Sequence, residues 1–223
     1  METRKYEKMK AHTKYYNAAG ALVPGCTTVL NQLGWNKNAL VAWARREALS
    51  GQDPEKKKQE AADIGSLAHF MIECHFKGVK PDLSDFTGNQ IDKAENCFLA
   101  FLEWDKNYKL QCVESEISLV SEKYQFGGTI DFIARPTINA GGLWLMDFKS
   151  SKGIYAEAFC QVAAYCHLWQ DARHQKIDAV HILKLGKEDG SFEDHMVQPE
   201  KLKIAFDVFY HCRALYDLER KLK

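Results

Sequence analysis

Hydrophobic residues recur with helical spacing in several long stretches of the chain. Between Glu60 and Phe76, the residues Ile64, Leu67 and Met71 lie three or four positions apart, which places them on one face of a helix. The same spacing predicts further helices over Asn36–Leu49, Gln90–Tyr108, Tyr155–Asp171 and from Pro199 onward, and a short helix with Thr27 as its N-cap. The polar stretch Ser50–Lys58 contains Gly51 and Pro54 and predicts an exposed loop.

A different pattern begins at Val113, where hydrophobic and polar residues alternate as far as Leu119. Such alternation is typical of a half-buried strand. Two more strands are predicted over Phe126–Ala134 and Leu143–Lys149, joined by residues 135–142, and the three strands form an antiparallel meander. Strands over Ile177–Leu185 and Phe192–Val197 follow. The fold class is therefore α/β (mixed α+β), with a central mixed β-sheet flanked by helices.

The strand Leu143–Lys149 is apolar on both of its faces. Leu143 and Leu145 alternate with Trp144 and Met146, and Phe148 extends the second face. Such a strand is central in its sheet.

The composition is that of a globular protein. The chain has 223 residues, of which 46% are hydrophobic and 27% are charged, enough for one domain with a substantial core. No apolar run approaches the roughly 20 residues of a membrane helix, and the charged start lacks the apolar core of a signal peptide. We therefore expect a cytoplasmic protein with no membrane partner. Seven scattered cysteines without a Cys-x-x-Cys pair predict free thiols rather than disulfides or a closed zinc site.

The residues with the clearest chemistry are Asp147 and Lys149. They lie two positions apart and so project from one face of the central strand, while Phe148 points into the core. Taken alone, this pair is typical of an ion pair at a solvated strand end. Asp131, however, lies on the preceding strand, where a hairpin would bring it next to Asp147. Two converging carboxylates repel unless a cation or a proton intervenes, and hard divalent cations take oxygen ligands.

A predicted helix adds a nitrogen ligand. His69 lies four residues after Gly65 and therefore on the same face, where the small residue lets the helix pack tightly on the sheet. Glu73, one turn further, is a candidate for orienting His69. The alternative is a structural histidine.

Five further positions accompany this group. Gln161 and Tyr165 form an i, i+4 pair on the helix after the central strand, either as part of a site or as a core tyrosine with an adjacent amide. Glu116 lies on the polar face of the first strand of the meander. Gly127 and Gly128 either admit the close approach of another backbone, such as that of DNA, or mark a β-bulge.

Taken together, these positions resemble the RecB-type branch of the PD-(D/E)XK nuclease superfamily, in particular small phage-encoded exonucleases. The resemblance extends from about Thr27 to His195 and consists of five elements in order: Gly65 with His69, Glu116, Gly128 with Asp131, Asp147 with Lys149, and Gln161 with Tyr165. Each motif is weak alone, whereas the ordered set is specific. The resemblance implies a restriction-endonuclease-like fold and a single nuclease domain over residues 1–223, with a basic helical region at 1–58 and a catalytic core at 59–223.

The same resemblance implies a Mg²⁺- or Mn²⁺-dependent deoxyribonuclease. His69, Asp131, Asp147 and the Phe148 carbonyl would bind the metal, and a nitrogen ligand among oxygens suits Mn²⁺ at least as well as Mg²⁺. Lys149 would orient or deprotonate the attacking water, Glu116 would be a further catalytic carboxylate, and Gln161, Tyr165 and Gly128 would position the scissile strand. Some relatives hold an iron–sulfur cluster through one early cysteine and three near the C-terminus. Here only Cys212 lies in the last fifty residues, so we expect no cluster.

The expected partner is DNA with an end, double- or single-stranded, in phage or bacterial recombination, replication or repair. Arg45 and Arg46, the lysines of 56–58 and the basic residues 4–14, which include Lys8 and Lys10, are candidates for phosphate contacts or are simply solvated charges. Trp35 and Tyr15 are candidates for stacking on unpaired bases, whereas Trp43 is predicted in the core.

Two other functions stay open at this point: a structure-selective endonuclease, and a non-catalytic DNA-binding subunit that keeps the fold. A recombination annealing protein or a helicase is a further possible partner. The formal net charge of zero argues only against a protein that coats nucleic acid.

Overall fold

A five-stranded mixed sheet lies at the centre of the protein. The structure, a computed structural model, describes residues 3–6, 13–138 and 141–223. Lys8, Lys10 and two residues of the predicted 135–142 connection, Asn139 and Ala140, lie outside these ranges. The elements are, in chain order, β1 (Thr3–Lys5), β2 (Tyr15–Tyr16), β3 (Leu22–Val23), α1 (Cys26–Leu30), α2 (Lys37–Leu49), α3 (Pro54–Lys77), β4 (Lys80–Asp82), α4 (Gly88–Asp105), β5 (Leu110–Ser121), β6 (Phe126–Pro136), β7 (Trp144–Lys149), α5 (Ala156–Arg173), β8 (Ala179–Leu185), β9 (Phe192–Met196) and α6 (Pro199–Leu222).

The strand order confirms the predicted meander and the central strand. The sheet runs β5-β6-β7-β8-β9, so β7 lies in the middle. Strands β5, β6 and β7 are antiparallel neighbours, β8 is parallel to β7, and β9 returns antiparallel as a hairpin. The crossover from β7 to the parallel β8 runs through α5, as a parallel pair requires.

Two helical layers cover the two faces of this sheet. Helices α1, α5 and α6 pack on one face, where Leu145 and Ile182 join a core with Leu168 and Phe209. Helices α3 and α4 cover the other face, where Met146, Phe148 and Phe101 belong to a second core. The alternation predicted along β7 is therefore confirmed.

Helix α3 begins earlier than the sequence indicated. The stretch Ser50–Lys58 is not one exposed loop, because the helix starts at Pro54. The Asp53 carboxylate caps it by accepting the backbone N–H of Glu55 at 2.9 Å and of Lys56 at 3.3 Å. Proline is well tolerated as a first helical residue, since its missing N–H has no partner there anyway. The helix runs without a break across the expected boundary at residue 58.

Helix α1 also starts differently from the prediction. Gly25, not Thr27, is the residue before the first turn, and no side chain caps it. Thr27 is already helical.

A register shift changes the face that β5 presents. The pairing with β6 shifts between Cys112 and Glu114, so Val113, predicted on the buried face, is 42% exposed. No shift occurs at Gly127 or Gly128, which pair regularly with Val120 and Leu119. The bulge alternative for these glycines is therefore wrong.

Two small strand pairs were not predicted. Strand β1 runs parallel to β4, and β2 and β3 form a short hairpin. Strands of two or three residues show no measurable alternation.

Helix α2 is packed least closely. All of its residues are described, and none is buried; Trp43, predicted in the core, is only half-buried. In the described part of the chain, no helix is long and apolar enough to cross a membrane. The seven cysteines are free thiols, five of them buried.

Candidate active site

The candidate site lies where strands β6 and β7 separate. Their ladder runs through Ala134 and Trp144 and ends at the pair Phe132 and Met146. One residue further, a side chain replaces the backbone as hydrogen-bond acceptor: Asp131 Oδ2 accepts the backbone N–H of Phe148 at 2.9 Å. The ends of the two strands thus open around Asp131 and Asp147.

His69, Glu116 and Asp131 converge beside this opening. One ligand atom from each lies within 4.8 Å of those of the other two. His69 Nδ1 is 3.4 Å from Glu116 Oε1 and 3.8 Å from Asp131 Oδ2, while its Nε2 is 3.2 Å from the Phe148 carbonyl oxygen. The group lines a cavity of about 370 Å³ that Arg4 and Phe70 also border. Residues from α3, β5, β6 and β7 therefore meet at one point.

Glu116 reaches this group through an unusual backbone conformation. Its φ is +50°, in the left-handed region that residues other than glycine rarely adopt. Its neighbours Ser115 and Ile117 pair with Phe132 and Ile130, so Glu116 faces Asp131 across the strands. Strained backbone of this kind persists only when the surroundings enforce it, and it concentrates at functional sites. The carboxylate is 16% exposed and faces the site, not the open polar surface that simple alternation indicated.

On the other side of Asp147, four polar residues form a continuous network. Lys149 Nζ is 2.6 Å from Asp147 Oδ2 and donates a hydrogen bond to Gln161 Oε1 at 3.1 Å. Gln161 Nε2 in turn donates to the Tyr165 hydroxyl at 2.9 Å. The predicted Gln161–Tyr165 contact is confirmed. The bond from Lys149 to Gln161 had no signal in the sequence, because it joins a strand end to a helix.

Burial and mutual repulsion perturb the acids of the site. Asp147 is fully buried, and this burial, with the nearby charge of Asp131, raises its pKa to about 6 despite the Lys149 ammonium. Burial likewise raises the pKa of Asp131.

The two bases respond to the same carboxylates. Burial lowers the pKa of His69, but Asp131 and Glu116 outweigh it and bring the pKa to about 9. Burial also disfavours the charged form of Lys149, yet Asp147 and Asp131 raise its pKa overall. Without another cation, the site therefore holds protons to balance its negative charge.

Three glycines let neighbouring elements approach this site. A Cβ at Gly128 would lie 2.6 Å from the Tyr165 ring, and one at Gly127 would lie 2.1 Å from the Tyr15 ring. Tyrosine rings of this chain, rather than a further backbone, therefore occupy the space above both glycines. A Cβ at Gly65 would lie 2.9 Å from Ser150 Oγ, which confirms the tight packing of α3 on the end of β7.

Some predicted residues lie outside the group. Glu73 does not orient His69; it forms ion pairs with Arg4 at 2.9 Å and with Lys77 at 2.5 Å, because its side chain turns toward β1. Arg45 and Arg46 are exposed on α2, and no hydrogen bond or ion pair joins them to the other described site residues. Tyr15 is held against Gly127, and its hydroxyl is 3.0 Å from Thr129 Oγ1.

The donor set suits a hard divalent cation. Glu116 Oε2 and Asp147 Oδ1 are buried and have no hydrogen-bond partner among the described residues. Buried carboxylate oxygens without partners carry a large desolvation penalty, which a cation would offset. The Phe148 carbonyl and the His69 ring lie beside them. A larger cavity of about 520 Å³ between α5, α6 and β8 contains none of these residues, so chemistry rather than size identifies the site.

No protein-family model matches the chain, and no curated protein matches it significantly. Similar solved structures include a protein of Eubacterium rectale whose name proposes it as an exonuclease; it is 14% identical with a TM-score of 0.43, over 66% of this chain and 64% of that one. This chain thus spans less than two thirds of that protein. LHK-Exo, solved in complex with dAMP, is 12% identical with a TM-score of 0.39, over 73% of this chain and 86% of its own. SSO0001 is 11% identical with a TM-score of 0.31, over 70% and 74%.

Proposed function

We propose that the protein is a metal-dependent nuclease of the PD-(D/E)XK type that hydrolyses phosphodiester bonds at DNA ends. The observation that carries this proposal is the meeting of His69, Glu116 and Asp131 within 4.8 Å, next to the buried Asp147–Lys149 pair. A solvated ion pair does not explain it, because Asp147 is fully buried and Lys149 is only 25% exposed.

Five groups would hold the metal: the side chains of His69, Glu116, Asp131 and Asp147 and the Phe148 carbonyl. A bound Mg²⁺ or Mn²⁺ would supply a water of lowered pKa and would stabilise charge on the phosphate. Compared with the set expected from the sequence, Glu116 gains a direct place, since its Oε1 is 3.4 Å from His69.

Lys149 would act as a cation at the scissile phosphate. Its raised pKa favours the ammonium form, which donates hydrogen bonds to an attacking water or to a phosphate oxygen. Gln161 fixes the direction of the ammonium, and Tyr165 fixes Gln161. Hydrolysis then forms a bond from the water oxygen to phosphorus and breaks the bond from phosphorus to the leaving 3′- or 5′-oxygen, which takes up a proton of the water. Arg45 and Arg46 on the exposed α2 would contact phosphates farther along the strand.

The test compares end-labelled linear DNA with covalently closed circular DNA in Mg²⁺, in Mn²⁺ or in EDTA. We expect degradation of the linear DNA only, loss of activity in EDTA, and a fall of at least about a hundredfold in Lys149→Ala, the scale of losing one charge-stabilising group. Lys106→Ala is the matched control, because Lys106 is an exposed lysine paired with Glu103 on α4.

Other outcomes would replace the proposal. Nicking of the closed circles would indicate an endonuclease. DNA binding without cleavage in either metal would indicate a non-catalytic subunit.

A further inference from the structure

A second cleft opens beside Lys149, and His69 is not among its lining residues. It lies between α1, the start of α2 and the start of α5, and we call it the α1–α5 cleft. Its volume is about 380 Å³, within the usual range of roughly 300–1,000 Å³ for small-molecule sites. Lys149 and Gln161 of the candidate site line it, together with Trp35, Leu40 and Tyr155.

Several large hydrophobic side chains line this cleft and are about half exposed to solvent. Trp35 is 51% exposed, Leu40 is 50% exposed and Tyr155 is 53% exposed, although all three are large hydrophobic residues. Helix α2, which provides Leu40, buries none of its residues. Core packing therefore does not account for these side chains. Contiguous exposed apolar residues rimmed by polar ones are typical of a binding site.

The charges and polar groups of the cleft limit what it can bind. Lys149 and Lys37 are cations, Glu157 is the single acid, and Asn31 and Ser151 offer hydrogen bonds. A flat apolar body with an adjacent anionic group matches this arrangement. A nucleotide has that chemistry, since its base stacks on aromatic side chains and its phosphate pairs with lysine.

We propose that the α1–α5 cleft binds the base and deoxyribose of one unpaired nucleotide adjacent to the scissile phosphate. This inference rests on the proposed nuclease function and deepens it. A cleft of this volume takes one nucleoside and not a base pair, so the strand has to be single-stranded, or frayed, where it enters. Stacking on Trp35 and Tyr155 does not distinguish bases, so the cleft tolerates any sequence.

The test uses a labelled single-stranded oligonucleotide and a copy in which the terminal nucleotides at both ends are abasic. We expect the wild-type protein to cut the intact strand about tenfold faster, in line with the contribution of one stacked base. Trp35→Ala slows cleavage of the intact strand about tenfold and leaves the abasic strand within about twofold, because both changes remove the same contact. Trp35→Phe keeps most of the rate. Tyr155→Ala should likewise slow cleavage of the intact strand more than that of the abasic strand. Tyr210→Ala is its control, because Tyr210 is equally exposed at 53% and does not line the cleft.

Equal rates on the two strands would overturn the inference, as would equal slowing of both strands by Trp35→Ala. A binding measurement separates this failure from failure of the nuclease proposal. In EDTA, the wild-type protein should bind the intact strand about tenfold more tightly than the abasic one, and Trp35→Ala should remove the difference. If the wild-type protein cuts nothing, the nuclease proposal fails and this binding difference still decides about the cleft. If cleavage is normal and the two strands bind equally, only the cleft proposal fails.

Discussion

Glu116 adopts a backbone conformation that is unfavourable for its residue type. A left-handed residue other than glycine is destabilised by about 1–2 kcal/mol, and no local turn requires this conformation within β5. The strained residue is the one whose carboxylate lies in the site, 3.4 Å from His69 Nδ1. At this residue, stability is reduced in favour of the site.

Replacing Glu116 should therefore separate stability from activity. We expect Glu116→Gly to be more stable than Glu116→Ala by about 1 kcal/mol in free energy of unfolding, because glycine adopts positive φ without strain. Both variants should lose most of the proposed nuclease activity. Urea unfolding and cleavage of linear DNA measure the two effects.

The matched pair is Glu114→Gly and Glu114→Ala in the same strand. Glu114 does not have a positive φ, and both changes remove its ion pair with Arg173 equally. At this position the glycine variant should be less stable than the alanine variant by about 0.5–1 kcal/mol in free energy of unfolding. If the glycine and alanine variants have the same order of stability at both positions, Glu116 is not strained.

At this scale the sequence predicted residue types better than contacts. The positions of Asp131, Asp147, Lys149 and His69 followed from alternation and helical spacing. The partners of Glu73 did not, because Glu73 satisfies the same spacing rule as His69, and one of its two partners, Arg4 of β1, lies far away in the chain. Residues far apart in the chain leave no local pattern when they pair.

Among the elements, the separation of β6 from β7 is what creates the site. Asp131 replaces the next ladder carbonyl as acceptor for the Phe148 N–H, so the sheet opens without leaving a buried donor unpaired. Helix α5 then lies close enough over β6 for the Tyr165 ring to rest on Gly128. The contact between Tyr165 and Gly128 thus holds α5 on β6 and connects both to the hydrogen-bond network of Lys149 and Gln161.

A methyl group at Gly128 should disturb this approach. In Gly128→Ala, the new Cβ would lie 2.6 Å from a buried aromatic ring that has little room to move. We expect a loss of about 1–3 kcal/mol in unfolding free energy, as is typical of overpacking. Cleavage should slow as well, because Tyr165 carries the hydrogen bond that fixes Gln161 and, through it, Lys149.

Gly88→Ala serves as the control for this change. No atom lies within 4 Å of a Cβ at Gly88, at the start of α4. If the two alanine variants melt at the same temperature and cut DNA equally, α5 is not held against β6 as the structure has it.

The long elements were predictable from the sequence because each one buries a single face, which gives it a clear period. The start of α3 was not, because Pro54 followed by Glu55 and lysines has the composition of a loop as well as of a first helical turn. The two short strand pairs could not be predicted either, because two or three residues are too few to show an alternation of hydrophobic and polar positions.

Over the whole molecule, the site joins both helical layers to the sheet. His69 comes from the layer of α3 and α4, and Gln161 and Tyr165 come from the layer of α1, α5 and α6, with the ends of β6 and β7 between them. The proposed metal ligands come from α3 and from strands β5, β6 and β7, so metal binding should stabilise the docking of α3 on the sheet.

The pH dependence of this stabilisation has a defined sign. The pKa of Asp147 is raised from 3.8 to about 6, so its contribution to metal-free stability is present below the lower value and is lost as pH rises through 6. The pKa of His69 is raised from 6.5 to about 9, and its contribution is lost as pH rises through 9. A divalent cation competes with both protons, so its stabilising effect should grow with pH.

We expect Mn²⁺ to raise the melting temperature by roughly 5–10 °C at about 100 times its Kd, at a pH of about 8, and much less at a pH of about 5. Thermal scans with Mn²⁺ and with EDTA measure the shift. Asp131→Asn should remove it, whereas Asp85→Asn, at an exposed aspartate, should not. A shift of equal size at both pH values would argue against these ligands.

The assembly of the site from both layers has a consequence for the cell that makes the protein. A chain in which only one helical layer has docked lacks either His69 or the residues that fix Lys149. If the protein cuts DNA as proposed, a newly made or partly unfolded copy is harmless to the genome around it. Cleavage would require both layers to have docked on the sheet, so the fold itself would serve as a safeguard.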